Sequence, residues 1–503
     1  MRGIKEEPVL GPCSWLYQAS RKWPGKEAIF DEETSLSFEA LQQDALQTAR
    51  WLRIRGKTGD RVVIALPFGI PGTVFYFGTQ FAGMVAVPVD PALSSGQLGP
   101  LIKEIDPCVV VGPSDLKPAG ETREFCPVDS YQDLRETLLA FPGLPDLPAL
   151  KDDPFRLLNI VYTSGTTGKP KGVMLNGANL ETAIQGIQRA LAIKEHHRIF
   201  TALPFAHTYG LSQLWLMAKG GTSLGVVPEI TRMAAIKKIV IERNINVIAG
   251  VPYHFALFTR RGDKEKWDRI RVVTVAGDGP SKSLIHKMKV SFPNASIFVM
   301  YGLTEATTRL TVLPSEDLDK KEGSIGLPIE GVELKVIDEK GRELGPHQEG
   351  ELIARGANIS PGYWKDEELT RKAIVRGWLR TGDIVRKDED GYFYHLGRKD
   401  LVFKSGGEKI VPEAIEKVLL EIQGVRDAAV LGREDLYRGK TICAVVVNEK
   451  NSYLTPGKII SACQGKLDRL WVPHEVVFAE EIPRTSNGKI RYDVLRERMS
   501  IGQ

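Results

Sequence analysis

The string YTSGTTGKPKG at residues 162–172 gathers the groups that bind a polyphosphate. Gly165, Gly168 and Gly172 let backbone come close to a ligand. Thr163, Ser164, Thr166 and Thr167 bring hydroxyls, and Lys169 and Lys171 bring positive charge. Backbone N–H, hydroxyl and ammonium donors together suit phosphate oxygens. The apolar run LLNIV (157–161) precedes the loop, so it leaves a buried strand; a plain polar surface loop is the other reading of the same composition. A Walker A loop is excluded, because Pro170 follows Gly168 and Lys169 where that pattern needs Ser or Thr. A GxGxxG dinucleotide fingerprint is also absent. Five further strings carry chemistry: PFAHTYG (204–210), YGLTEA (301–306), TGD (381–383), GRKDLVFK (397–404) and PRTSNGK (483–489). YGLTEA ends the apolar run SIFVM, and a strand end beside a crevice is a usual ligand site in α/β sheets. TGD alone reads as an ordinary turn and gains weight from Trp378 before it and GRKD after it.

These strings need a scaffold, and the chain has the material for one. It has 503 residues, 42% hydrophobic and 26% charged, which excludes a disordered chain, a collagen and a disulfide mini-protein. The net charge of +4 is too small to point to nucleic acid as partner. Cys13, Cys108, Cys126, Cys443 and Cys463 form no CxxC pair and stand beside no His cluster, which fits a reducing cytoplasm rather than a disulfide framework or a zinc site. The first residues carry charges and prolines where a signal peptide needs an apolar core. Residues 62–89 are uncharged, but Pro67, Pro71 and several glycines argue for strand–helix–strand over a membrane span. Strand candidates at 62–66, 85–89, 108–112, 157–164, 247–251, 272–276 and 296–302 alternate with helical patterns such as 37–56 and 234–244. That alternation predicts parallel sheets covered by helices. From about Gly331 the texture shifts to short strands and turns, a smaller β-rich subdomain. Near 397–400 a new unit begins, with a hairpin, a helix opened by Pro412, strands at 426–432 and 442–449, a helix at 458–468 and a last strand at 472–483. The fold class is therefore α/β: a large N-terminal domain of two parallel-sheet α/β subdomains and a β-rich subdomain (1–398), then a small mobile α+β cap (399–503).

The six strings, in this order, resemble the signature motifs of the adenylate-forming superfamily, which includes acyl-CoA synthetases, peptide-synthetase adenylation domains and beetle luciferases. The resemblance spans most of the chain. It implies an AMP-forming acid–thiol ligase of the acyl-CoA synthetase type: ATP and Mg²⁺ activate a small-molecule carboxylic acid to acyl-AMP, and the acyl group passes to the thiol of CoA. A phosphopantetheinyl carrier protein is the alternative acceptor, and a catalytically silent adenylate-binding sensor is the non-enzymatic alternative. By the resemblance, Thr163, Ser164, Gly165, Thr166, Thr167, Gly168, Lys169 and Lys171 cradle the phosphates, and Thr163 and Glu305 hold Mg²⁺. Thr304 contacts the α-phosphate, Tyr301 stacks on adenine, Asp383 accepts from the ribose hydroxyls and Arg398 reinforces them. Asp400 is the hinge, and Ser405, Gly406 and Gly407 border the thiol tunnel. Lys489 is the catalytic lysine that bridges the incoming carboxylate and the ribose or phosphate oxygens.

Amino-acid-activating relatives place an Asp at the start of the 204–210 motif; Phe205 and Ala206 stand here, which argues against an α-amino acid. His207 lies beside the acid, with a structural histidine as the bland reading. Val251, Tyr253, Ala276, Gly277 and Gly302 are expected to wall the acid pocket, and Asp278 faces either ribose or a polar substrate tail. A medium or long aliphatic acid, or an aryl-aliphatic one, is the expected substrate.

Overall fold

Runs of β-branched and aliphatic residues too short for helices become buried parallel strands, as their lack of alternation predicts. The computed structural model describes residues 11–67, 69–116, 123–140, 147, 153–163, 170–227, 229–260, 266–405, 408–435, 439–450, 452–484 and 490–501. The first sheet has six strands in the order Phe125–Pro127, Val109–Gly112, Arg61–Ile64, Val85–Pro88, Leu157–Thr163 and Lys171–Asn176. All neighbours are parallel except the last pair, a hairpin whose tip is the glycine-rich loop.

The uncharged stretch resolves as strand–helix–strand: Arg61–Ile64, helix Ile70–Phe81, Val85–Pro88. That helix is apolar on almost every side because it is buried on almost every side. Gly78 lets it approach helix Phe38–Arg53, since a Cβ there would stand 2.6 Å from the Thr48 side chain. No helix among the described residues is long and apolar enough to cross a membrane.

The second sheet has nine strands with a parallel centre: Ser296–Tyr301, Val272–Val275, Val247–Gly250, Arg198–Thr201 and Ser223–Val226. Glu27–Phe30 joins it in parallel beside Ser223–Val226, a pairing across nearly two hundred residues that sequence pattern does not reveal. Thr311–Leu313 returns antiparallel along Ser296–Tyr301. The texture change near Gly331 is an antiparallel five-stranded sheet of Val332–Ile337, Glu349–Gly356, Trp378–Lys387, Ile374–Val375 and Phe393–Arg398.

After Arg398 come a two-stranded hairpin (Phe403–Ser405 with Glu408–Ile410), helix Pro412–Leu420 and a three-stranded sheet of Val425–Asp435, Gly439–Asn448 and Glu475–Phe478. The last strand is shorter than the expected 472–483: Pro473 offers no N–H to a ladder, and only Glu475–Phe478 pairs. The α/β body with several sheets and the small C-terminal domain agree with the expected fold.

Helix Pro412–Leu420 buries a carboxyl. Glu416 is 7% exposed and accepts from the Val430 N–H and the Tyr492 hydroxyl, both at 2.7 Å. Burial pushes its pKa up to about 8, with the Glu413 charge adding to the rise. Folding therefore takes up a proton at this site, and stability is lost as pH rises through that value. Between pH 4.5 and 8 each unit is expected to cost up to about 1.4 kcal/mol. Glu416→Gln keeps an acceptor for both donors and removes this slope. Urea unfolding at pH 5 and pH 8 checks it; equal slopes in the two proteins contradict the assignment.

Candidate active site

The strands of both parallel sheets end at one cleft, closed on its far side by the C-terminal domain. Thr163 and Lys171 enter it from the first sheet, Val251, Ala276 and Tyr301 from the second, and Asp383 and Arg398 from the antiparallel sheet. The position at strand C-termini is the usual one for ligands in such sheets.

Thr163 and Lys171 face each other across the Leu157–Thr163/Lys171–Asn176 hairpin, so both bases of the glycine-rich loop are fixed by a ladder. The Tyr162 hydroxyl donates to Glu104 at 2.9 Å and holds the same strand end. Ser164, Gly165, Thr166, Thr167, Gly168 and Lys169 lie outside the described residues. The loop joins strand to strand, whereas a Walker A loop joins strand to helix, in agreement with the exclusion made above.

Tyr301 ends its strand half-buried, and its hydroxyl donates to Asp383. Its ring faces the His395 ring at 6.0 Å between centroids. Asp383 is 5% exposed and also meets His395 Nε2 at 3.3 Å and Arg398 Nη1 at 3.1 Å. Burial raises its pKa, but His395, Arg398 and the Tyr301 hydroxyl outweigh burial and leave it lowered to about 2. Arg398 also donates to the Thr381 carbonyl at 3.0 Å and to Asp400 at 3.2 Å. Asp400 thus lies between the last strand of the body and the first strand of the C-terminal domain. Lys399 pairs with buried Glu351 at 2.8 Å, which ties this connection to the body.

Thr304 and Glu305 occupy a short 3-10 turn, Thr304–Ala306, in the cleft wall. Glu305 accepts from the Tyr363 hydroxyl at 2.8 Å, a partner that no motif marked. The chain then turns back through Thr307 and Thr308, with φ of 50° and 83°. Asn358 holds this turn by donating to the carbonyls of Ala306 and Arg309, both at 3.1 Å. Gly302 permits the close return: a Cβ on it would lie 2.0 Å from the Thr308 carbonyl oxygen.

His207 precedes helix Thr208–Gly220 as its N-cap residue and lines the cleft with Val251, Ala276, Gly277 and Gly302. Tyr253 does not: it is 56% exposed, outside the cleft wall, and His254 faces inward in its place. Helix Pro252–Phe258 starts directly after Val251, so successive residues diverge by a helical step and not by strand alternation. His254 is 8% exposed, and burial lowers its pKa to about 4, so its ring is neutral at pH 7. Asp278 acts electrostatically on Glu416, Lys417, Arg484 and Tyr492, all in the C-terminal domain. It also lines the cleft. Ser405 is buried at the end of its strand; Gly406, Gly407 and Lys489 lie outside the described residues. Arg484 and Ile490, which flank the segment holding Lys489, form a bridge pair and line the cleft.

Residues 16–364 match the family model described as "AMP-binding enzyme", and residues 414–489 match "AMP-binding enzyme C-terminal domain". A 2-succinylbenzoate–CoA ligase of Bacillus cereus is 30% identical over 487 residues, which is 96% of this chain and 98% of that protein. The o-succinylbenzoate coenzyme A synthetase of Bacillus subtilis, solved with ATP and a magnesium ion, shares the fold at TM-score 0.86 and 23% identity, covering 96% of this chain and 99% of its own. An anthranilate CoA ligase in complex with anthranoyl-AMP shares it at TM-score 0.89 and 21% identity, covering 100% of both chains.

Asp383→Asn removes the charge that Arg398 and His395 meet. The expected loss is about 2 kcal/mol of stability at pH 7, less than for a fully buried pair because Arg398 is partly solvated. The Asp383 pKa is lowered in the fold, so this contribution is present above the ordinary value of 3.8 and lost as pH falls through about 2. Urea unfolding of both proteins at pH 7, 5 and 3 checks it: the gap should be equal at pH 7 and 5 and narrower at pH 3.

Proposed function

The chain belongs to the AMP-binding enzyme family and is an AMP-forming acid–thiol ligase, and on that premise we propose that it joins an aryl-aliphatic carboxylic acid to CoA through an acyl-adenylate. The observation that carries this reading is the convergence of the phosphate-loop bases, Glu305, Asp383 and the flanks of Lys489 on one cleft. The first half-reaction forms a bond from the acid's carboxylate oxygen to the α-phosphorus of ATP and expels pyrophosphate. The second forms a thioester at the acyl carbon and expels AMP.

The residues' roles follow from their chemistry. Hydroxyls and lysines of the loop hold phosphate oxygens, and Lys171 stands at its base. Thr163 and Glu305 offer hard oxygen donors in the cleft wall, which fits Mg²⁺, a cation held through few protein ligands plus phosphates. That ion neutralises charge on the phosphates when bound. Asp383 stays ionised and suits a vicinal diol, with Tyr301 and Arg398 fixing its orientation. In this reading Thr304 and His207, both in the cleft wall, serve the α-phosphate and the acid respectively. Lys489 brings a compact positive charge to the oxygen that attacks. In this reading the C-terminal domain turns about Asp400 between the halves, with 1–398 as the adenylating body and 399–503 as the cap. Ser405, Gly406 and Gly407 then border the path of the thiol.

CoA is preferred over a carrier protein because the curated relatives that cover this chain's length are named as CoA ligases. Their named acid combines an aromatic ring with an aliphatic acid arm, which favours the aryl-aliphatic half of the expectation over the fatty-acid half.

Pyrophosphate release with ATP, Mg²⁺ and a panel of aryl-aliphatic, fatty and amino acids tests the reading. Multiple turnovers that require CoA and an aryl-aliphatic acid are expected; adenylate that CoA cannot discharge overturns the acceptor. Lys489→Ala should cut adenylation about 10²–10³-fold while sparing thioester formation from preformed adenylate. Equal loss of both steps contradicts that role.

A further inference from the structure

The carboxylate of Glu305 has a partner that the adenylation chemistry leaves without a role. The Tyr363 hydroxyl donates to Glu305 Oε1 at 2.8 Å. Tyr363 is buried at 9% exposure, and both residues line the cleft. Burial, with the Glu305 charge beside it, raises the Tyr363 pKa above the ordinary value, so the phenol keeps its proton at neutral pH and always donates. A carboxylate has two acceptor oxygens. This bond ends on Oε1, fixes the plane of the group and leaves Oε2 to accept elsewhere.

The backbone of Tyr363 is anchored on the hairpin that carries the glycine-rich loop. Tyr363 forms an antiparallel bridge with Val173. On either side, the Trp364 N–H donates to the Gly172 carbonyl at 2.7 Å and the Met174 N–H donates to the Gly362 carbonyl at 3.0 Å. The N–H of Tyr363 itself donates to Thr370 Oγ1 at 2.9 Å. A second tie runs alongside. The Ser360 N–H donates to the Glu305 carbonyl at 2.8 Å, and the Ser360 hydroxyl donates to the Met174 carbonyl at 2.7 Å. Residues 360–364 thus link strand Lys171–Asn176, one base of the loop, to the turn Thr304–Ala306. The strand belongs to the six-stranded sheet, and the turn follows Ser296–Tyr301 of the nine-stranded one. No ladder joins those two sheets, so this link is what sets the Glu305 carboxylate against the phosphate loop. A buried phenol needs only some acceptor, and a carbonyl would serve. Here it takes the acid that the cleft offers to a hard cation.

We propose that Tyr363 is a positioning residue for the metal: it holds the Glu305 carboxylate in register with the phosphate loop, so that Mg²⁺ and the polyphosphate are bound as one unit. The inference rests on the reading of Glu305 as an oxygen donor to Mg²⁺ and deepens it. Groups that bond a ligating side chain and fix its orientation typically account for 10–100-fold in metal affinity, although they never touch the ion.

The test is a binding measurement, so it does not depend on turnover. The Kd of ATP is measured by equilibrium dialysis without acid or CoA, once in EDTA and once in excess Mg²⁺. By linkage, the ratio of the two constants is the factor by which the protein tightens Mg²⁺ on ATP. Tyr363→Phe keeps the ring and its packing and removes only the hydroxyl. It should lower the ratio about 10-fold while the Kd in EDTA stays within about twofold of native. Glu305→Gln should lower the ratio at least as far. Adding Tyr363→Phe to Glu305→Gln should then change it by less than about twofold, because the hydroxyl acts through that carboxylate. A Tyr363→Phe ratio equal to native beside a lowered Glu305→Gln ratio overturns the positioning role and leaves Glu305 as the Mg²⁺ donor. A full further loss in the double variant, or a Tyr363→Phe protein that loses ATP in EDTA as well, also overturns it, since the hydroxyl would then support the framework of the site. A Glu305→Gln ratio equal to native removes the Mg²⁺ reading of Glu305, and this inference with it.

Discussion

One buried carboxylate joins the parts that make the cleft. Asp383 sits on the antiparallel sheet, receives the hydroxyl of Tyr301 from the end of the nine-stranded sheet, and meets Arg398 at the exit toward the C-terminal domain. Burial alone would neutralise it. Three donors reverse that tendency, so a fixed negative charge persists where the sheets converge. Arg398 carries the same network on to Asp400, and Lys399 anchors the connection on Glu351. The relation of body to cap therefore depends on a charge the fold cannot lose without loosening its own seam.

Close backbone approach is the second constraint, and it is concentrated around the proposed acid site. Gly302 has no room for a side chain, and the return through Thr307 and Thr308 places two β-branched residues at positive φ, an unfavourable geometry for them. Asn358, in the turn after strand Glu349–Gly356, compensates by satisfying two carbonyls of this turn. The result is a rigid wall in which Thr304, Glu305 and Arg309 hold fixed positions, as a reaction that depends mainly on positioning requires. Asp278, in the cleft wall, lies within electrostatic reach of Glu416, Lys417 and Arg484 of the C-terminal domain.

Much of this was legible in the residues. The glycine–hydroxyl–lysine loop, the acid in YGLTEA and the order of the six strings needed no coordinates, because local composition and spacing encode phosphate chemistry. The strand–helix alternation predicted the two parallel sheets for the same reason, since burial on both faces leaves a continuous apolar run. The last strand is shorter than the apolar run suggests, and Pro473, with no N–H for a ladder, marks where it can start. Tyr253 was misplaced because the pocket wall there is the first turn of a helix, where neighbours point apart by about 100°.

What the tertiary structure alone decided is which side chains share a space. Tyr363 meets Glu305 from 58 residues away, His395 completes the Asp383 network, and Asp278 comes within electrostatic reach of Glu416. No motif marks Arg309; only packing shows that it is 3% exposed. Sequence by itself determined the class of chemistry, because phosphate-binding groups lie close together along the chain. Charge balance in a buried pocket depends on residues brought together from distant strands, and no local pattern records it.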